Sequence, residues 1–155
     1  MSTVNQNAVK YGVVSGDGMK KLHYPITHAS FPVKQGELVY LDTSAHIVKP
    51  VASDANAATL AGVALQPSGV SSGLDNSTAP AEKTVMVGWD VVAFFKTTAA
   101  ETYVPGTPVY IGADAQTITT VAGSNMIGRV VLPATVSSVT GATGVTVDVL
   151  VKSAL

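Results

Sequence analysis

Gly69-Val70-Ser71-Ser72-Gly73 matches the G-x-S-x-G pattern of a serine nucleophile elbow, the sharpest chemical motif in the chain. That pattern holds its Ser on a strained turn between a strand and a helix, with the hydroxyl exposed to a base. Here the segment follows Pro67 and runs into Leu74-Asp75-Asn76-Ser77, a loop composition. A related segment, Thr135-Val136-Ser137-Ser138-Val139, keeps both serines and loses both glycines. The serine pair therefore reads as shared loop design, and a hydrolase acting through Ser71 is disfavoured.

The other reactive groups are scattered. His23 and His28 are an odd number of residues apart in a Pro-interrupted stretch, and His46 sits near a hairpin. Two zinc ligands on one strand face need an even spacing, and no Cys or acidic cluster completes a set. Asp42, Asp54, Asp75 and Asp114 lie in expected turns, where Asp bonds its own backbone. Asp90 and Asp148 fall at matching places in two similar strands. A matched carboxylate pair could serve acid–base chemistry; the favoured reading is that each lies on the polar face of its strand, paired with Lys96 or Lys152. Trp89, the single Trp, could stack on a sugar, but its strand face is apolar, so a core position is expected. Asn76-Ser77-Thr78 fits a glycosylation sequon by chance, since no secretory signal is recognisable. No catalytic, cofactor-binding or metal-binding residue is assigned, and no cofactor is expected.

The elements around these residues are β-strands, and they occur twice. Gly36-Glu37-Leu38-Val39-Tyr40-Leu41 returns as Gly106-Thr107-Pro108-Val109-Tyr110-Ile111. Residues 60–72 (LAGVALQPSGVSS) return as 126–138 (MIGRVVLPATVSS), and Trp89-Asp90-Val91-Val92 returns as Val147-Asp148-Val149-Leu150. Three blocks in the same order indicate a duplicated unit, over about 33–96 and 103–152.

Residues 1–10 are polar and without period, an extended arm. A first strand is expected at 11–14, a turn at Ser15-Gly16-Asp17-Gly18, and edge or irregular structure over 19–26, because of Pro25 and Pro32. The first unit predicts strands at 38–41, 46–48 and 60–65, with one helical turn over 53–59 capped by Ser53. Residues 84–96 form the strongest strand: Val85, Val87, Trp89, Val91, Ala93 and Phe95 make one wholly apolar face. Period two with one clean face means a strand lying on a core. The second unit predicts strands at 108–111, 117–121, 126–132 and 144–152. Short strands with Gly/Pro turns at close intervals argue for an all-β barrel or sandwich, the two units packing their clean faces around one core. One β domain is expected over 11–155.

Composition narrows the partners. The 155-residue chain has no cysteine, a formal net charge of -1, and only 12% charged residues. Without a basic patch it lacks the field a nucleic-acid binder needs. No apolar run approaches the roughly 18 residues of a helical membrane span. The start, MSTVNQNAVKYG, has no basic n-region followed by an apolar h-region; synthesis in a cytoplasm is expected. Hydrophobic residues make up 46% but aromatics only 6%, so the surface is neutral and can close on a partner without desolvating many ions.

The pattern Gly-x-x-Val-Tyr-[Leu/Ile], a hairpin, then [Ala/Ile]-Gly-x-[Ala/Val]-[Leu/Val], appears as GELVYLD with AGVALQP and as GTPVYIG with IGRVVLP. It resembles small capsid decoration (cement) proteins of tailed bacteriophages, over about residues 33–152. The resemblance implies a single compact, all-β, tulip-like barrel and no enzymatic activity. It implies a homotrimer on the outer capsid surface of the virion, at three-fold and quasi-three-fold sites. There it would clamp the major capsid protein, with no nucleic acid or membrane as partner. In similar proteins terminal arms reach neighbouring subunits, which makes Val4, Asn5, Val9 and Tyr11 the candidate capsid or trimer contacts. The alternative is a tail or head-fibre module that binds a host-surface glycan.

Overall fold

The computed structural model of the chain describes residues 9–10, 20–27, 29–68, 84–97, 101–113, 115–131, 139–140 and 146–155. The repeated β-rich blocks form two sets of strands. The first contains β2 (Lys20–Pro25), β3 (Leu38–Asp42), β4 (Ile47–Pro50), β5 (Leu60–Ala64) and β6 (Thr84–Trp89). The second contains β7 (Val91–Thr97), β9 (Pro108–Ile111), β10 (Thr117–Thr119), β11 (Gly128–Val130) and β13 (Thr146–Val151). Of the arm, β1 (Val9–Lys10) pairs with β7, and residues 1–8 lie outside the described residues, as do the expected strand at 11–14 and the turn at 15–18. A small ladder joins β8 (Thr102–Tyr103) to β12 (Val139–Thr140).

The first sheet runs β2-β6-β5-β3-β4. Both Pro-bearing strands, β2 and β4, are its edges, where a missing N–H costs no ladder bond. The second runs β7-β10-β9-β11-β13, and β13 pairs back onto β7 to close a five-stranded barrel. Its closing contact, β10 on β7, is parallel. Apart from that closure, the two orders are the same: β6-β5-β3-β4 corresponds to β13-β11-β9-β10.

The registers agree residue by residue. Val39 faces Gly62 and Leu38 faces Val63; Val109 faces Gly128 and Pro108 faces Arg129. Leu41 faces Val48 as Ile111 faces Ile118. The bonds from Gly36 N to Ala64 O (2.8 Å) and Leu65 N to Met86 O (2.9 Å) recur as Gly106 N to Val130 O (3.0 Å) and Val131 N to Asp148 O (2.7 Å). A Cβ at Gly62 would lie 2.2 Å from Gly88 O, and one at Gly128 would lie 2.3 Å from Leu150 O. Both positions need glycine because the next strand's backbone passes where a side chain would stand.

The run at 84–96 is two strands, not one. Asp90 has φ 55°, and at that residue the chain leaves one sheet for the other. The clean odd face survives the corner, with Val85, Val87, Val91, Ala93 and Phe95 buried and Trp89 half-buried. The ladders thus divide the chain at Asp90. β2 lies against β6 as β7 lies against β13, which places β2 in the first unit and β7 in the second.

Each unit has its own interior, rather than both sharing one core. Val39, Val48, Ala64, Val85 and Val87 form the interior of the first. Their equivalents Val109, Ile118, Val130, Val147 and Val149 belong to a larger cluster, with Phe95 and Tyr103. That cluster also takes in Leu38, Val51, Leu60, Val63 and Leu65, the residues of the first unit that point away from its interior. The units are therefore joined in tandem, the second packed on an outer face of the first. Burying each such Leu or Val contributes roughly 1.5–3 kcal/mol, so this junction is a substantial part of what stabilises the fold.

The helical turn over 53–59 is a 3-10 helix, Asp54–Thr59. Ser53 is its N-cap, in extended backbone, and Asn56 at the third helical position reaches back to it: its Oδ1 accepts from Ala52 N at 3.0 Å and Ser53 N at 3.2 Å. No helix among the described residues is long and apolar enough to cross a membrane.

Candidate functional site

Residues 69–83 and 132–138 lie outside the described residues, and with them Ser71, its relative Ser137, Asp75 and the Asn76 sequon. So do Val4, Asn5, Tyr11, His28 and Asp114; of the candidate contacts only Val9 is placed, its backbone paired opposite Ala93. His23 is exposed on β2 and His46 on the β3–β4 turn. Among the described residues no three His, Cys, Asp or Glu side chains gather as metal ligands.

The acids each hold a piece of structure. Asp90 does not match Asp148, because the ladder sets Met86 in Asp148's place. Asp90 sits instead at the corner between the units, where Lys152 Nζ reaches Oδ1 at 2.7 Å and Lys20 Nζ reaches Oδ2 at 2.8 Å. Those two ammonium groups, Lys152 first, hold its carboxyl below the usual carboxylate range. The expected partner Lys152 is thus found, and Lys20 is a second one that the distance along the chain concealed. Asp148 is half-buried on β13, opposite Phe94.

Asp42 closes the β3–β4 hairpin. Lys49 Nζ donates to its Oδ2 at 2.6 Å, while Ser44 Oγ, Ser44 N and Ala45 N donate to Oδ1. The Lys49 bond and then the Ser44 hydroxyl hold Asp42 far below its ordinary pKa, and the same ion pair raises Lys49. The Lys49 ammonium also lies 4.3 Å from the centroid of the Phe31 ring. Glu101 accepts from Thr119 Oγ1, the backbone N and hydroxyl of Thr120, and Tyr103 OH. Burial works to raise its pKa, but these donors outweigh burial and the net shift is down. Tyr103 moves the other way: burial, then the Glu101 charge, pushes its hydroxyl above the ordinary tyrosine value.

Two side chains tie the units together. Gln116, at φ 65° on the β9–β10 turn, reaches across to β3. Its Oε1 accepts from Leu38 N at 2.6 Å, and its Nε2 donates to Val51 O at 2.8 Å and Leu38 O at 3.0 Å. Asp54 accepts from Ser124 N at 3.0 Å, and its carbonyl accepts from Asn125 Nδ2 at 2.9 Å. Sequence reasoning assigned Asp54 to a turn and passed over Gln116. The repeat held one clue: Gln116 occupies the hairpin position of His46, which also has a positive φ, 57°.

No protein-family model matches this chain, and no curated protein matches it.

What the described surface offers is apolar contact. Val104, Val121, Met126 and Val131 are exposed on the second unit, whereas Leu22 and Phe31 are the large apolar residues exposed on the first. Asp42, Asp54, Asp90 and Glu101 are each engaged by cations, hydroxyls or backbone N–H groups.

Proposed function

We propose that this protein is a structural component of a tailed-phage virion. It binds the outer surface of the mature head as a homotrimer and stabilises the capsid lattice against dissociation. The observation that carries the reading is the placement of the two Gly-x-x-Val-Tyr-[Leu/Ile] motifs. Each begins the same hairpin in one of two matching β units, so the resemblance rests on a common architecture as well as on short strings. Support also comes from the low charge of the chain and from apolar side chains exposed on the second unit.

The mechanism is linkage. A protein that binds the assembled lattice and not its free subunits shifts the equilibrium toward the lattice. Joining binding units in a trimer multiplies weak contacts through effective concentration.

Purified protein should co-sediment with heads stripped of it, and electron cryomicroscopy should place its density outside the shell. Decorated heads should withstand heating that ruptures bare ones. Failure to bind stripped heads refutes the proposal. Quenching of Trp89 fluorescence by soluble sugars would instead favour the glycan-binding fibre module.

A further inference from the structure

The repeat lets one interface be compared with its own counterpart. In the first unit Val51, Leu60 and Leu65 are 1%, 1% and 3% exposed, and they cluster with residues of the second unit's interior. Counted along the repeat, their counterparts in the second unit are Val121, Met126 and Val131, which are 67%, 42% and 38% exposed; Val51 N–H bonds Leu38 O, whereas Val121 N–H bonds Thr119 Oγ1. At these three positions both units carry apolar side chains, while Val63, buried at the first unit's junction, is replaced on the second by the exposed Arg129; inside one chain only the first set is covered.

The element that docks is duplicated as well. The β9–β10 turn seats Gln116 on the backbone of Leu38 and Val51. The β3–β4 turn has the same register and a left-handed residue, His46, at the same point, and its tip is exposed. The chemistry of the two sites also corresponds. Gln116 supplies an acceptor for Leu38 N–H and a donor for two carbonyls. On the second unit Leu38 is replaced by Pro108, which has no N–H, so a donor alone is required there, and an imidazole N–H supplies one.

We infer that the outer face of the second unit, formed by Val121, Met126 and Val131 together with Pro108 and the aliphatic stem of Arg129, is a docking surface for a second copy of this chain, whose β3–β4 turn seats on it as the β9–β10 turn seats on the first unit. The contact is head-to-tail, because the two surfaces differ. Such contacts close into rings when the rotation permits and otherwise grow into filaments. In a closed ring of three copies, six near-equivalent units alternate between covalent and non-covalent joints. This inference does not depend on capsid binding. A chain that self-associates in this way but ignores heads would remove the functional reading and leave the interface standing.

The absence of cysteine in the chain allows a clean test. His46→Cys and Val121→Cys are prepared as single variants, mixed, and treated with a short bismaleimide; a linker is used because Cys does not reach as far as Gln. The mixture should give a cross-linked pair, and neither single variant should. Val121→Cys cross-linking to itself would mean a two-fold contact and overturn the proposal. So would a mixture giving no cross-link. By light scattering at micromolar concentration the wild type should be oligomeric, and Val121→Asp/Val131→Asp should fall to the mass of one chain with an unchanged circular dichroism spectrum. Leu22→Asp, an exposed apolar site on the first unit, should keep the wild-type mass. A monomeric wild type, a double variant of wild-type mass, or dissociation by Leu22→Asp would each overturn it.

Discussion

Replacing Gln116 by glycine should destabilise the protein, while the same change at His46 should leave stability level or slightly higher. The two residues occupy one hairpin position in two units, at φ 65° and 57°, so the backbone effect of glycine is nearly common to both. Left-handed backbone costs a non-glycine residue roughly 1–2 kcal/mol. Against that, glycine adds roughly 0.5–1 kcal/mol of unfolded-chain entropy. The net gain lies between nothing and about 1.5 kcal/mol at either site. At His46, exposed within its own chain, this term stands alone provided that unfolding is followed below the concentration at which copies associate. At Gln116 three hydrogen bonds are lost. Leu38 O keeps its bond from Val51 N at 2.9 Å, so the stranded groups are Leu38 N–H and Val51 C=O. Stranding a buried group costs about 1–3 kcal/mol. Two of them, about 2–6 kcal/mol, less the glycine gain, leave a loss centred on about 3 kcal/mol. For a chain of this size that lowers Tm by about 5–10 °C. Urea unfolding followed by far-UV circular dichroism and by Trp89 fluorescence would measure it. Gln116→Glu should lose at least as much, since a carboxylate cannot donate to the two carbonyls. Equal losses at Gln116 and His46, or a Gln116→Gly variant within about 0.5 kcal/mol of wild type, would refute the role of Gln116 in joining the units.

Gly62→Ala and Gly128→Ala should each cost about 3 kcal/mol or prevent folding, because the new methyl group meets strand backbone that cannot yield. Gly106→Ala has open space around its Cβ and bears only the cost of φ 87°, about 1–2 kcal/mol; urea midpoints that fail to separate these variants would contradict the close approach. Asp90 is held below its unfolded pKa, so its contribution is fully present above about pH 4 and drains away as pH falls through the folded value. Asp90→Asn should therefore flatten the acid limb of the stability–pH curve, and an unchanged limb would count against the Lys20–Asp90–Lys152 clamp. Tyr103 has the opposite sign: with its folded pKa raised, its contribution is present below about pH 10 and lost as pH rises further. Tyr103→Phe should cost about 1 kcal/mol at neutral pH and reduce alkaline destabilisation, which titration of the unfolding free energy would reveal.

Most strands were legible because their signals are local. Period-two alternation marked β6 and β7, and Gly-Pro punctuation bounded β3, β5, β9 and β11 within a residue or two. The break at Asp90 was invisible for the same reason: its apolar alternation runs unbroken through the corner, since both strands turn the same face inward. Matching Trp89-Asp90-Val91-Val92 to Val147-Asp148-Val149-Leu150 by string likeness aligned β7 with β13. Only the hydrogen-bonded ladder shows that β6 is the true counterpart, with Met86 in place of Asp148. The inter-unit contacts were equally hidden, because Gln116 meets Leu38 and Asp54 meets Asn125 across more than a unit's length of chain.

By itself the sequence determined that this is a duplicated all-β protein of low charge, since alternation, turn residues and repetition are properties of neighbouring residues. The tertiary structure decided where the duplication divides, which unit closes into a barrel, and which of two equivalent apolar faces is covered. Those depend on strand pairing and docking between distant segments, and the same apolar residue serves at a buried junction or on an open surface. Val51 and Val121 read alike in the chain, and only the fold distinguishes them.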